Sequence, residues 1–266
     1  MAQGHTVIAT SRNPSKTPEL VSEVEKSGGK WVALDTTQPE EEINKTMQLA
    51  ESFFGRIDIL VNNAGMSVLG ALEDIPLADA AYQMQVNFLG PLRIMQAVLP
   101  GMRRRRSGVI MNVSSAQGVA PGLACGVYAA SKAALEAASE SCSLEVAPFG
   151  IRVLIIVPGA YRTDFSKSDV GKYIAPSEEY TGNHPVSVRL SHVSKLSSTA
   201  IGSPDKAAKV MFEAATGEGE AGELINKAHL LRVIIGPDCW KVVDKKVSEL
   251  RRTTDLLVDV AASTNL

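Results

Sequence analysis

A hydroxyl at Ser115, a phenol thirteen residues later at Tyr128 and an ammonium four residues beyond it at Lys132 have the types and spacing for proton chemistry. Tyr128-Ala-Ala-Ser-Lys132 opens a segment rich in Ala, Leu and Glu that predicts a helix, which puts phenol and ammonium one turn apart on the same face. A free phenol has a pKa of about 10 and is a poor acid or base at neutral pH. Lowering it by about three units takes roughly 4 kcal/mol, and a positive charge about 4 Å away supplies that order at an effective dielectric near 20. Lys132 is therefore a sufficient perturber if both side chains share a crevice. Alone, Tyr-x-x-x-Lys is a weak signal, because a packed tyrosine followed by a solvated lysine gives the same spacing.

The elements that must position these groups follow from the apolar runs. Thr6–Thr10 predicts a buried strand closed by Ser11-Arg12-Asn13-Pro14, residues 18–28 a short helix, and Lys30–Leu34 a second strand stopping at Asp35-Thr36. Glu40–Phe54 places Ile43, Met47, Ala50 and Phe54 at helical spacing before Gly55. Ile57–Val61 runs into the polar turn Asn62-Asn63-Ala64-Gly65, a helix over roughly 80–105 carries Asn87, and the strand Gly108–Val113 delivers Ser114-Ser115. Ile151–Val157 ends in Pro158-Gly159; a helix over Pro204–Ala215, a last strand over Leu230–Ile235 and a closing amphipathic helix over Lys241–Val260 follow.

Strands that are apolar throughout and alternate with helices predict an α/β fold, a doubly wound parallel sheet of Rossmann-like type covered on both faces. In such sheets the ligand crevice lies beyond the carboxyl ends of the strands. Arg12, Asp35, Asn63, Ser115 and Pro158-Gly159 all follow directly from predicted strand ends. The polar stretch 166–199 reads as a flap over that crevice, and 1–266 reads as a single domain.

Composition narrows the function classes. Lys plus Arg at 27 against Asp plus Glu at 29 leaves a charge of −2, which provides no field for nucleic acid or an anionic membrane. No apolar run approaches the roughly 20 residues needed to span a bilayer. Cys125, Cys142 and Cys239 are widely spaced, odd in number and without a metal-ligand pattern, so no metal is expected and a reduced, cytoplasmic setting fits.

Taken together, Asn62-Asn63-Ala64-Gly65, Asn87, Ser115, Tyr128-x-x-x-Lys132 and Pro158-Gly159-x-x-x-Thr163 resemble the short-chain dehydrogenase/reductase family over about residues 2–240. The joint pattern is highly specific. The resemblance implies Tyr128 as catalytic acid/base, Ser115 as the hydroxyl that orients the substrate carbonyl, Lys132 as pKa modulator and ribose ligand, and Asn87 as the anchor of a relay water. It also implies cofactor contacts from Asn62, Asn63 and Gly65 beside the adenosine ribose, from Asp35 at the adenine, and from Pro158, Gly159, Tyr161 and Thr163 at the nicotinamide end. Asn62, Asn63 and Asp35 have a plainer reading as turn and cap formers. Ser114 is read as structural.

The first strand end, Thr10-Ser11-Arg12, carries a cation and no acid, which points to NADP rather than NAD because a 2′-phosphate needs a positive charge. The family's opening strand and glycine-rich turn, whose amides receive the pyrophosphate, have no counterpart in this sequence, so an N-terminally truncated pattern is expected. Two readings follow. One is an NADP-dependent oxidoreductase interconverting a secondary alcohol and a ketone, with a lipophilic substrate by closeness to retinoid- and steroid-type members, and with a homo-oligomer as the family prior. The other is an inactive family member acting as a binding or regulatory protein.

Overall fold

The computed structural model describes residues 4–166 and 170–265. Among the described residues eight strands are formed: β1 (Ile8–Ser11), β2 (Lys30–Ala33), β3 (Ile59–Asn62), β4 (Ser67–Leu69), β5 (Gly108–Val113), β6 (Ile151–Pro158), β7 (Gly171–Tyr173) and β8 (Arg232–Ile235). The helices are α1 (Pro18–Lys26), α2 (Glu40–Phe54), α3 (Leu77–Met84), α4 (Gly90–Arg105), α5 (Ala116–Val119), α6 (Gly126–Val146), α7 (Pro185–Val193), α8 (Leu196–Thr199), α9 (Pro204–Thr216), α10 (Gly219–Lys227), α11 (Pro237–Leu256) and α12 (Val258–Ala262).

All pairings are parallel, and the main sheet has the order β3-β5-β6-β8. The central strands owe their place to composition: Ile110, Ile155, Ile156 and Val157 are β-branched and fully buried. One face packs against α2, α4 and α6 through a core that joins Leu34, Ile43, Leu60, Met95, Ile110 and Val153. The opposite face carries Met111, Leu154 and Ile156 against Ala214 of α9 and Ile225 of α10. Covering both faces leaves the strand ends as the place where polar groups can gather. Asn62, Ser114-Ser115 and Pro158-Gly159 leave β3, β5 and β6 at the same end.

β1 and β2 form a separate two-stranded piece, and among the described residues no ladder connects β1 to β3. The two pieces are joined instead through the helical layer, because Leu34 after β2 and Ile43 and Met47 of α2 share one core with Leu60 and Ile110. On the uncovered side Val61 of β3 is 47% exposed, unlike the buried aliphatics of its neighbours.

The helix expected over 80–105 is two helices, α3 and α4, joined by a π-helical segment at Gln85–Leu89. Such bulges cost regular hydrogen bonding and are frequent at functional sites. Here the bulge carries Asn87, fully buried. Part of the expected flap, residues 167–169, lies outside the described residues. The remainder is built: β7 pairs with β4, and α7 lays Val186, Leu190 and Val193 onto the protein body. No described helix is long and apolar enough to cross a membrane.

Ile110 sits at the centre of the core joining sheet and helical layer, so Ile110→Ala is expected to lower stability by about 2–5 kcal/mol. Urea unfolding followed by far-UV circular dichroism measures it, and a change below 1 kcal/mol would contradict the assigned packing.

Candidate active site

The site is assembled by β5, by the turn after β3 and by the first turns of α6. Ser115 caps α5, its hydroxyl accepting from the Gln117 amide at 3.2 Å, while also sharing a hydrogen bond with the Tyr128 phenol. Tyr128 is buried, and its ring meets Phe165 at 5.9 Å. Lys132 is buried too, and its ammonium donates to the carbonyl of Val113 at 2.8 Å. A Cβ on Gly65 would stand 3.3 Å from the Lys132 nitrogen and 3.4 Å from Asn87 Oδ1, so the glycine admits the backbone against the cation. Asn87 works as a clamp: its Oδ1 accepts from the Met66 amide at 2.9 Å, and its Nδ2 donates to the Met66 carbonyl and to Ser131 of α6, each at 2.9 Å.

The electrostatics differ from the sequence-based expectation in one respect. Desolvation raises the Tyr128 phenol to about 12, with the Ser115 hydrogen bond opposing and Cys125 adding slightly. Lys132 contributes no lowering. Its ammonium is turned to a strand-end carbonyl and is itself brought down to about 8 by burial, with the Glu136 carboxylate partly restoring it. Spacing along the helix put the two groups on one face, but burial outweighs the charge.

The cofactor-side residues divide. Arg12 is exposed just past β1, with one guanidinium nitrogen 3.3 Å from the Tyr82 hydroxyl. Asp35 follows β2, where its Oδ1 accepts from the Thr37 amide at 2.9 Å and hydroxyl at 2.7 Å, the local cap of the plainer reading. Asn63 is exposed at the end of β3. Asn62 is not in the crevice: its amide donates to Asn112 at 2.8 Å, and Asn112 donates to Ser139 at 2.7 Å, inside the protein. The correction has a simple cause, because Asn62 is the last residue of the ladder with β5 and alternation turns its side chain inward.

Gly159 and its loop are held by Asp238 of α11, which accepts from the Ala160 amide at 2.7 Å and lies where any Cβ on Gly159 would fall. Tyr161 bridges to Gly202 and packs beside Asp238, burial and that carboxylate raising its phenol. Thr163 is exposed, its hydroxyl 3.4 Å from the Phe165 amide. Asp238, Glu136 and Arg232 are supports that the motif reading missed. Glu136 had a signal, four residues after Lys132 on the same helix; Asp238 and Arg232 come from remote parts of the chain and had none.

Glu136 accepts from the Ser114 hydroxyl at 2.5 Å and from Arg232 at 3.0 Å, and Arg232 also pairs with Glu140. Ser114 is thus a structural hydroxyl, as read. These contacts, with Lys132 reaching Val113, lock α6 to the ends of β5 and β8.

Comparison with known proteins agrees with this geometry. The sequence pattern of short chain dehydrogenases matches residues 1–173. The chain belongs to the short-chain dehydrogenase family. It is 42% identical over 180 residues to the oxidoreductase claN of Passalora fulva, covering 67% of this chain and 80% of that protein. A short-chain dehydrogenase from Streptomyces avermitilis has the same fold at a TM-score of 0.85 and 31% identity, over 99% of this chain and 92% of the other. A metagenomic short-chain oxidoreductase solved with NADP matches 61% of this chain and 74% of its own, at a TM-score of 0.56 and 29% identity. Membership establishes an oxidoreductase with a nicotinamide cofactor and a small-molecule substrate.

The buried cation sets a pH dependence. Lys132 falls from 10.5 to about 8 on folding, so between those values the unfolded chain binds the extra proton and stability rises with pH. The full cost, on the order of 3 kcal/mol, is present below about pH 8. Tyr128, raised from 10.0 to about 12, acts oppositely: its contribution is present below pH 10 and is lost as pH climbs to 12. Lys132→Met is therefore expected to remove the gain in stability between pH 7.5 and pH 10, measured as the difference in urea midpoint from the unmodified chain. Equal slopes for the two proteins would refute the buried, strained cation.

Proposed function

We propose that this protein is an NADP-dependent oxidoreductase that interconverts a lipophilic secondary alcohol and its ketone, with Ser115, Tyr128 and Lys132 as its catalytic residues. The observation that carries the reading is the wall around the phenol: Tyr128 shares a core with Leu69, Ala71, Val186, Leu190 and Val193. A carbonyl brought to Ser115 and Tyr128 would carry its substituents against aliphatic side chains, which favours apolar molecules.

The residues present fit a nicotinamide cofactor at its ribose and nicotinamide end. The Gly65 backbone lies against the Lys132 ammonium, Pro158-Gly159 is braced by Asp238, and Tyr161 and Thr163 follow on the same loop. Asn63, Asp35 and Arg12 extend the row of strand ends toward the adenosine end, where Arg12 supplies the cation that a 2′-phosphate needs. When bound, the cofactor supplies the hydride. Ser115 orients the carbonyl by donating to it, Tyr128 exchanges the proton with the substrate oxygen, and Lys132 holds positive charge beside them. Asn87 keeps the turn after β3 closed against α6 and holds the relay water through its remaining acceptor capacity. The three unpaired, buried cysteines suit a cytoplasmic setting, and we read 1–266 as one domain.

Titration with NADPH, followed by nicotinamide fluorescence, is expected to show saturable binding. Tyr128→Phe should keep that binding and lose turnover by about 10²–10⁴-fold. Arg12→Ala should weaken NADPH by roughly tenfold or more while leaving NADH unchanged, since a charge-assisted phosphate contact contributes about 1.5–3 kcal/mol. Absence of NADPH binding at millimolar cofactor would instead favour the second reading, an inactive family member that acts as a binding or regulatory protein.

A further inference from the structure

The carboxylate that acts on the Lys132 ammonium is itself held from outside the crevice. Glu136 stands one turn beyond Lys132 on α6, its side chain 5% exposed. Both of its oxygens are engaged: Oε1 accepts from the Ser114 hydroxyl at 2.5 Å and Oε2 from Arg232 Nε at 3.0 Å. A Cβ on Gly118 would stand 2.6 Å from Glu136 Oε1 and 3.2 Å from Lys132 Cβ, so α5 rests against the pair because residue 118 has no side chain. Arg232 belongs to β8, remote in sequence from the reacting groups, and its second arm pairs with Glu140 nearer the surface.

This arrangement gives Arg232 a lever on Lys132. A cation 3.0 Å from Glu136 Oε2 offsets part of the negative charge that the ammonium would otherwise feel, and it also fixes the carboxylate in place. The other titratable groups around the pair, among the described residues, are Tyr128 and Glu140 of α6 and Cys239 of α11. Tyr128 stands at about 12, and burial with the Asp238 and Glu136 carboxylates pushes Cys239 up to about 12, so both are neutral at working pH. Glu140 lies eight residues, about 12 Å, along the helix from Lys132 and is 47% exposed, which screens its field. The charge that reaches Lys132 is therefore the balance of Glu136 against Arg232.

We infer that Glu136 and Arg232 are positioning residues that together fix the charge on Lys132: Glu136 keeps the ammonium charged, and Arg232 limits how strongly it does so. The effect on turnover rests on the reading of Lys132 as a catalytic residue; the effect on the lysine itself does not.

Nuclear magnetic resonance of the full chain carrying lysine isotope-labelled at Cε tests this, with the Lys132 signal assigned by its loss in Lys132→Met and followed between about pH 6 and 11. Glu136→Gln removes the charge while its amide can still accept from Arg232 and donate to Ser114. It should lower the Lys132 titration midpoint by about one pH unit or more, whereas Arg232→Gln should raise it by several tenths. Opposite signs are decisive, because loosening of α6 admits water and raises the midpoint in both variants. Shifts of the same sign, or no shift in either variant, overturn the proposal. Where Glu136→Gln does not fold by far-UV circular dichroism, Arg232→Lys decides: it keeps the cation and should return the midpoint to that of the unmodified chain, and a midpoint raised as in Arg232→Gln overturns the proposal. With NADPH and a ketone, the pH profile of turnover should move in the direction of the lysine in each variant. Lysine shifts with an unmoved profile uphold the charge coupling and overturn the catalytic reading of Lys132.

Discussion

A buried ammonium organises the centre of this molecule. Removing a cation from water costs several kcal/mol unless charge and hydrogen bonds replace the lost hydration. Around Lys132 those replacements come from different parts of the fold: the Val113 carbonyl at the end of β5 and the Glu136 carboxylate one turn along α6. Glu136 is in turn held by Ser114 and by Arg232 of β8. Charges alternate in sign through Lys132, Glu136, Arg232 and Glu140, so removing one member leaves its neighbours uncompensated. The strand ends, α6 and the hydroxyls of Ser115 and Tyr128 are positioned around this chain of groups.

The same economy of polar groups accounts for the turn after β3. Asn62 and Asn112 sit opposite each other in the ladder and pair inside the core, and Asn87 closes the Met66 backbone against Ser131. Both networks join the turn after β3 to its neighbours at the point where Gly65 allows the chain to approach Lys132. The β1–β2 piece has no ladder to β3 among the described residues and joins the rest through Leu34 and the aliphatic contacts of α2, with Arg12 donating to the Tyr82 hydroxyl.

Elements with strong periodicity and clear stop signals were readable to the residue from the sequence: α2 spans Glu40–Phe54 and β5 spans Gly108–Val113, as their patterns predict. Ser115, Tyr128 and Lys132 could be singled out together because they lie on two consecutive elements, α5 and α6. Asn62 was misplaced because the side chain direction depends on where the ladder ends, a matter of one residue that composition does not encode. The β4–β7 pair and α10 lacked a pattern of their own and owe their form to tertiary neighbours. The last helix was read as amphipathic, correctly, but an apolar stripe does not say how much of it the body covers: in α11 only Cys239 and Val243 are buried.

The least legible quantity was the state of the phenol. Helical spacing made Lys132 a plausible depressant of Tyr128, yet desolvation dominates and the phenol stands at about 12. At neutral pH Tyr128 is then almost wholly protonated, the state suited to giving a proton to an oxygen that is becoming an alkoxide, a stronger base than phenolate. Taking a proton from an alcohol would require a positive charge near the phenol, and the Lys132 ammonium donates instead to the Val113 carbonyl. Any movement of Lys132 away from the Val113 carbonyl and toward the phenol lowers one pKa and raises the other together, coupling the two titrations through a single side chain.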